Sequence, residues 1–264
     1  MNEYQNNIIK TRLSEFIGMS LHNSLAAHDG MKIYDEPLIG IACADDPLFQ
    51  KFREHGIVGP GFILPQEWLP GAKSVISYFL PFTKEVRDTN QAPGLPSEEW
   101  VSARIDGEVF NNEVRSFMVE MLKQMSDDAV APCLDPRFKV VNRISNWSER
   151  HVAYAAGLGT FGLHRALITE KGSAGRLGSV ITTLELTPTK RIYKSYYEYC
   201  LYLTQGKCGV CIHRCPPLAI TDKGKDNQIC GEYMDKEILP IFAPRYGCAK
   251  CNISVPCESK NPVV

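Results

Sequence analysis

Cys208-Gly209-Val210-Cys211-Ile212-His213-Arg214-Cys215-Pro216 decides the fold of the last quarter of the chain. Its spacing is C-x2-C-x3-C-P, the last three cysteines of the bacterial run C-x2-C-x2-C-x3-C-P that holds iron–sulfur cubes. Cys200 lies upstream, and Cys230, Cys248-Ala249-Lys250-Cys251 and Cys257 follow, so eight of the ten cysteines fall between Cys200 and Cys257. Gln205 occupies the place of the first cysteine of the standard run, and Cys200 is expected to substitute for it.

Eight thiolates suffice for two [4Fe–4S] cubes, each of which takes four. The two cysteines of a C-x2-C turn reach one cube, and the cysteine before proline serves the other. One cube is then expected on Cys200, Cys208, Cys211 and Cys257, and the other on Cys215, Cys230, Cys248 and Cys251. Disulfides, structural zinc with four cysteine ligands, or one cube with spare thiols also use cysteine-dense sequences. The Cys215-Pro216 pair and the isolated Cys200 and Cys230 suit two interleaved cubes better than zinc. The start, Met1 to Asn7, has neither the basic nor the apolar stretch of an export signal. Reduced thiols and a cytoplasmic location are expected.

The rest of the composition is ordinary. The chain has 264 residues, 44% hydrophobic and 22% charged, enough for a core without cysteine staples. A net charge of −1 asks for neither a nucleic-acid backbone nor an anionic membrane. Apolar runs such as Ser74 to Phe82 are far shorter than a membrane span, so no membrane is expected as partner.

Helices and strands alternate up to about residue 190. Ile9, Leu13, Phe16 and Ile17 keep helical spacing over residues 3–22. Leu38 to Cys43 is a strand, with Cys43 a small buried hydrophobe. Asp45-Asp46-Pro47 starts a helix. Pro70-Gly71 is a turn before a buried strand, Ser74 to Leu80, and residues 87–99 form a loop. Val109, Phe110, Val114, Phe117, Met118, Met121, Leu122 and Met125 line one helix face. Lys139 to Val141 is a weak strand, Ser148 caps a helix ending at Gly157, and Leu177 to Leu186 is a strand. Tyr193 to Cys200 is expected to be helical. The domain boundary is placed near Thr187 to Lys190, giving residues 1–189 and 190–264.

Gly157-Leu158-Gly159-Thr160-Phe161-Gly162 contains G-x-G-x-x-G. It follows a helix and leads into a strand, the reverse of the dinucleotide fingerprint. Either the glycines let two elements approach, or they offer a flat backbone surface to a large cofactor.

Together with Leu69-Pro70-Gly71-Ala72-Lys73-Ser74-Val75-Ile76, that glycine turn, Leu177-Gly178-Ser179-Val180-Ile181-Thr182 and the eight cysteines resemble the epoxyqueuosine reductase and reductive dehalogenase superfamily over roughly residues 60–260. The resemblance implies a nitroreductase-like α/β (α+β) domain that holds cobalamin base-off, followed by a ferredoxin-like domain with two [4Fe–4S] clusters. It implies that Gly157, Gly159, Gly162, His164, Ser173, Arg176 and Gly178 face the cofactor. Epoxyqueuosine reductases have an acid about fourteen residues before this glycine turn; here that place is taken by Arg143. No helical-repeat region follows the cysteines, and Pro256 precedes Cys257 where a Cys-Pro would stand.

The resemblance points to an oxidoreductase that passes electrons through two clusters to a corrinoid and on to a small molecule or a modified base. Glu149, His151 and Tyr154 are the candidate catalytic proton donors, with His164 close by. An iron–sulfur carrier or corrinoid-reducing partner without its own substrate is the alternative. The electron donor is expected to be a ferredoxin or flavodoxin, for which Lys207, Arg214, Arg245 and Lys250 offer a basic scatter near the cysteines.

Overall fold

The computed structural model describes residues 2–125 and 127–263. Helix α1 (Asn2–Met19) buries Ile9, Leu13 and Ile17 along one stripe. Strand β1 (Leu38–Cys43) leads to helix α2 (Pro47–Lys51), whose first turn is closed by the Asp46 carboxylate accepting from the Leu48 amide. Strand β2 (Ser74–Pro81) is buried at every position. Helix α3 (Lys84–Thr89), capped by Thr83, occupies part of the stretch expected to be loop. The Thr83 hydroxyl cap is a signal that the prolines nearby obscure.

Helix α4 (Glu98–Gln124) is longer than its apolar stripe suggests, because Ser97 caps it twelve residues before Val109. Phe110, Val114, Met118, Met121 and Leu122 are buried as expected, but Val109 faces solvent at 58% exposure. Strand β3 (Ala129–Val130) follows, then a hairpin of β4 (Val140–Val141) and β5 (Ile144–Ser145). Helix α5 (Glu149–Ala155) precedes a second hairpin, β6 (Gly159–Phe161) with β7 (Leu167–Thr169). Strand β8 (Gly175–Thr182) completes the main sheet.

That sheet has four antiparallel strands in the order β1-β2-β8-β3. Ile76, Tyr78, Leu80 and Val180 pack on α1 and α4 on one face. Val75 and Ile181 pack on α5 and an aromatic cluster on the other. In that cluster Trp147 stacks on Phe62 at 5.3 Å and on Phe49 at 6.2 Å. The architecture is therefore α+β with helices on both faces of the sheet, the mixed class expected. Cys43, expected to be buried, is exposed at the end of the edge strand.

From residue 183 the chain has little sheet. Tyr193 to Cys200, expected to be helical, forms turns instead, and the helix lies after it, α6 (Leu201–Gln205). The aromatic side chains there serve packing, with Tyr193 stacked on Tyr154 at 5.1 Å. Helix α7 (Val210–Arg214) and helix α8 (Asn227–Tyr233) carry the next cysteines. The segment folds back onto the α+β body. Arg87 Nε donates to the Glu258 carboxylate at 2.8 Å, and Phe242, Ala249 and Ile253 join the core cluster under α4. Among the described residues no helix is long and apolar enough to cross a membrane.

Gly178 sits opposite Tyr78 in the β2–β8 pairing, and a Cβ there would collide with the Tyr78 ring and hydroxyl. That hydroxyl is committed to Asn111 Oδ1 at 2.8 Å, so it has no free direction to yield. Gly178→Ala is expected to cost about 1–3 kcal/mol, as overpacking does. Urea unfolding checks this: the midpoint falls while the slope is unchanged.

Candidate functional site

The cysteines are sorted by the folding back of their segment. Left-handed backbone at Cys208 (φ 108°) and Gly209 (φ 87°) turns the chain into α7, which places Cys211 inward. Cys215 ends that helix. Cys200, Cys208, Cys211 and Cys257 line one cavity, of about 20 Å³, whose other walls include Leu163, Ile168 and Val255. Cys215, Cys230, Cys248 and Cys251 line a second cavity, of about 280 Å³. Cys43 and Cys133 lie outside both, and the ten thiols are free of disulfides.

Burial, and then the neighbouring sulfurs Cys257, Cys251, Cys200 and Cys208, pushes the Cys211 thiol up to about 12. Burial also pushes Cys251 up to about 12, with Lys225 opposing and Cys248, Cys230 and Cys215 adding to it. Cys257 is likewise up to about 12 by burial, opposed by the Ser173 hydrogen bond. Such thiols ionise only when a cation sits among them, and the thiolate is the form that ligates metal. Tetrahedral zinc needs its sulfurs about 2.3 Å from one ion. Among the described residues no three His, Cys, Asp or Glu side chains converge in that way. Each cavity is lined by four cysteines, the number of thiolates that a cube takes.

His164 lies between the two cavities and borders both. Its Nε2 is 3.3 Å from Cys257 Sγ, while Nδ1 accepts from the Ala166 amide at 3.0 Å. Ser173 Oγ donates to the Cys257 carbonyl at 3.0 Å. Arg176 lines the second cavity and is held by Glu108, with its Nε at 2.7 Å.

A third and largest cavity, of about 670 Å³, opens between α2, α5, the β6–β7 hairpin and the cysteine-rich segment. His151, Tyr154, Phe161 and Gly162 form part of its wall, and Arg143, Arg150 and Arg165 border it. His151 is held by a 2.7 Å hydrogen bond between Nδ1 and Ser148 Oγ. Burial, reinforced by Arg150, lowers its pKa to about 3, so the ring is neutral. Burial raises the Tyr154 phenol.

Glu149 is placed elsewhere. Its carboxylate takes hydrogen bonds from Ser179 Oγ at 2.6 Å and Cys133 Sγ at 3.1 Å, and pairs with Arg115, itself 2% exposed. It is a strut between α4, α5 and β8. The glycines divide too. A Cβ on Gly159 would strike the Ile168 carbonyl, and one on Gly157 (φ 83°) would press on Thr189, so these two serve close packing. Gly178 packs on Tyr78, and Gly162 alone of the four borders the large cavity.

The basic scatter also changes meaning. Lys250 is buried, donating to Asn90 O, Asn90 Oδ1 and Ala92 O, and Arg245 pairs with Asp106. The cations not anticipated from sequence are Arg104, Arg150 and Lys225, which border the second cavity. Lys225, between Cys215 and Cys230 in sequence, could have been picked out by that proximity.

An α+β body with a two-set cysteine segment folded onto it defines the class. No family model matches the chain. Over 206 residues, 73% of this chain and 50% of the relative, it is 28% identical to epoxyqueuosine reductase of Escherichia coli (strain K12). It is 27% identical over 202 residues to the Bacillus cereus enzyme, covering 73% of this chain and 50% of that one. A solved epoxyqueuosine reductase with an epoxyqueuosine-modified tRNA stem loop superposes with a TM-score of 0.57 at 20% identity, covering 97% of this chain and 66% of that one. A catabolic reductive dehalogenase superposes with a TM-score of 0.57 at 15% identity, covering 86% of this chain and 30% of that one. The chain is thus similar in sequence to epoxyqueuosine reductases over about three quarters of its length, and it shares the fold of the solved epoxyqueuosine reductase and reductive dehalogenase. It spans about half the length of the curated relatives it matches.

The depressed pKa of His151 has a consequence for stability. The unfolded imidazole takes up a proton near 6.5, the folded one only near 3. Between those values the unfolded state binds more protons, so this group makes stability fall as pH drops through that window. The unfolding free energy of the wild type is expected to fall more steeply than that of His151→Gln between about pH 7 and pH 5. Parallel urea titrations at the two pH values check it; equal slopes would sink the assignment.

Proposed function

We propose that the chain is an iron–sulfur oxidoreductase that carries two [4Fe–4S] clusters and passes electrons to a corrinoid bound in the large cavity. The observation that carries this reading is the sorting of eight cysteines into two sets of four around separate cavities beside that larger one. Cys200, Cys208, Cys211 and Cys257 would hold one cluster, and Cys215, Cys230, Cys248 and Cys251 the other. The corrinoid is supported by a reductive dehalogenase neighbour described in terms of B12-dependent dehalogenation, with a TM-score of 0.52. A corrinoid supplies low-potential cobalt chemistry that protein side chains lack.

The residues of this chain have their own tasks. Phe161, Tyr196 and Tyr197 give the cavity flat apolar walls. Tyr154, its phenol raised by burial, keeps a proton at neutral pH and is the donor assigned to the substrate. His151 stays neutral and orients within the wall through Ser148.

The acceptor is a small molecule or a modified base other than epoxyqueuosine. An epoxyqueuosine reductase from Bacillus subtilis is described with a catalytic aspartate loop swung out of its active site. Here the matching place holds Arg143, on the turn of the β4–β5 hairpin, paired with Asp235 at 2.5 Å. An arginine does not give up its proton. Electrons would come from a ferredoxin or flavodoxin in a reducing, cytoplasmic setting.

Anaerobic reconstitution tests the reading. About eight iron per chain is expected from two cubes. Cys257→Ala and Cys230→Ala are each expected to retain about four, with the loss confined to one cluster in low-temperature EPR. Zinc without colour would overturn it. Cobalamin added to the reconstituted chain is expected to show the base-off spectrum; clusters without that spectrum would leave an electron carrier.

A further inference from the structure

The two cysteine sets lie in opposite electrostatic surroundings. The walls around Cys200, Cys208, Cys211 and Cys257 hold no charged side chain among the described residues; Leu163, Ile168, Leu201 and Val255 supply most of them. Buried His164 and Tyr202 also line them. The walls around Cys215, Cys230, Cys248 and Cys251 include Arg104, Arg150, Arg176 and Lys225, and no carboxylate. Glu108 offsets Arg176 from behind, and Arg104 lies over the Tyr246 ring at 4.4 Å. Lys225 and Arg150 have no acidic partner among the described ion pairs. Lys225 lines the cavity together with all four cysteines of the set.

Resting on the two-cluster reading above, we propose that Lys225 and its neighbouring arginines make the Cys215/Cys230/Cys248/Cys251 cluster the higher-potential one, and so fix the direction of electron flow. Reduction adds one electron to a cube that its four thiolates already make anionic. Fixed positive charge and hydrogen bonds to the sulfurs stabilise the reduced form more than the oxidised one. His164 Nε2, 3.3 Å from Cys257 Sγ, makes one contact to sulfur in the first set, against four cations around the second. Solvent at the exposed Cys208 acts in the opposite sense on the first set, but it meets one sulfur at the rim. Electrons therefore enter at the Cys208 side and settle on the second cluster. That cluster lies against Trp100, Phe82 and Gly175 of the α+β body.

The test is a redox titration of the reconstituted full chain, followed by EPR. The wild type is expected to reduce in two steps. Cys257→Ala, which keeps the second cluster, is expected to reduce at a higher potential than Cys230→Ala, which keeps the first. Lys225→Met is expected to move the upper step down and leave the lower one in place, and Lys225→Arg to restore it. If two clusters assemble but reduce together, or the order of the single-cluster variants is reversed, the proposal fails while the cluster reading stands. If about eight iron are never retained by the wild type, the cluster reading itself fails.

Discussion

Buried sulfur that cannot ionise alone is the constraint on which the structure depends. Desolvation and mutual repulsion push Cys211 and Cys257 of one set and Cys251 of the other up to about 12. A cluster or metal in the middle reverses that balance, since the ligand is the thiolate. With a cluster loaded there, folding of the last quarter and loading of its sites would be one equilibrium. The segment's first two helices have five residues each, too short to stand on their own, and the longer helical stretch runs from Asn227 to Phe242.

The same segment is tied to the sheet by polar anchors. Lys250, between two cysteines, buries its ammonium against Asn90 O, Asn90 Oδ1 and Ala92 O. Asn90 in turn donates to the Cys248 carbonyl at 2.9 Å. Ser173, just before β8, donates through both amide and hydroxyl to the Cys257 carbonyl. A charge buried with its donors satisfied fixes register more than it adds stability. Both cysteine sets are thereby located relative to β8, and through it to the large cavity.

Much of this was legible in the chain itself. Leu38 to Cys43 and Ser74 to Leu80 are strands because continuous apolar runs between turn signals have no other use. The cysteine spacing anticipates the two sets, because a C-x2-C turn brings two side chains to one side. What was illegible depends on tertiary packing. Val109 keeps helical period with the core residues yet sits at the stripe's edge. Tyr193 to Cys200 looks helical by composition, but its rings are committed to α5 and to each other. Glu149 at a helix start resembles a free acid until Arg115, Ser179 and Cys133 are found around it. The glycines were ambiguous because close packing and cofactor contact both remove a Cβ, and only the neighbour in that direction distinguishes them.

The exchange of an acid for Arg143 bears on more than one residue. A reductase that opens a strained ring needs a proton beside the leaving oxygen; a reductase that expels an anion needs positive charge there instead. Arg143, Arg150 and Arg165 border one cavity, with Asp235 drawing only Arg143 aside. Arg165 holds a left-handed backbone at φ 63°, a conformation costly for a non-glycine residue, and its carbonyl is fixed by the Arg150 guanidinium at 2.5 Å. Backbone strain maintained by a neighbouring cation keeps both charges at the cavity wall. Arg143, Arg150 and Arg165 thus put three cations at the border of the large cavity, beside Tyr154 and the carboxylate of Asp222.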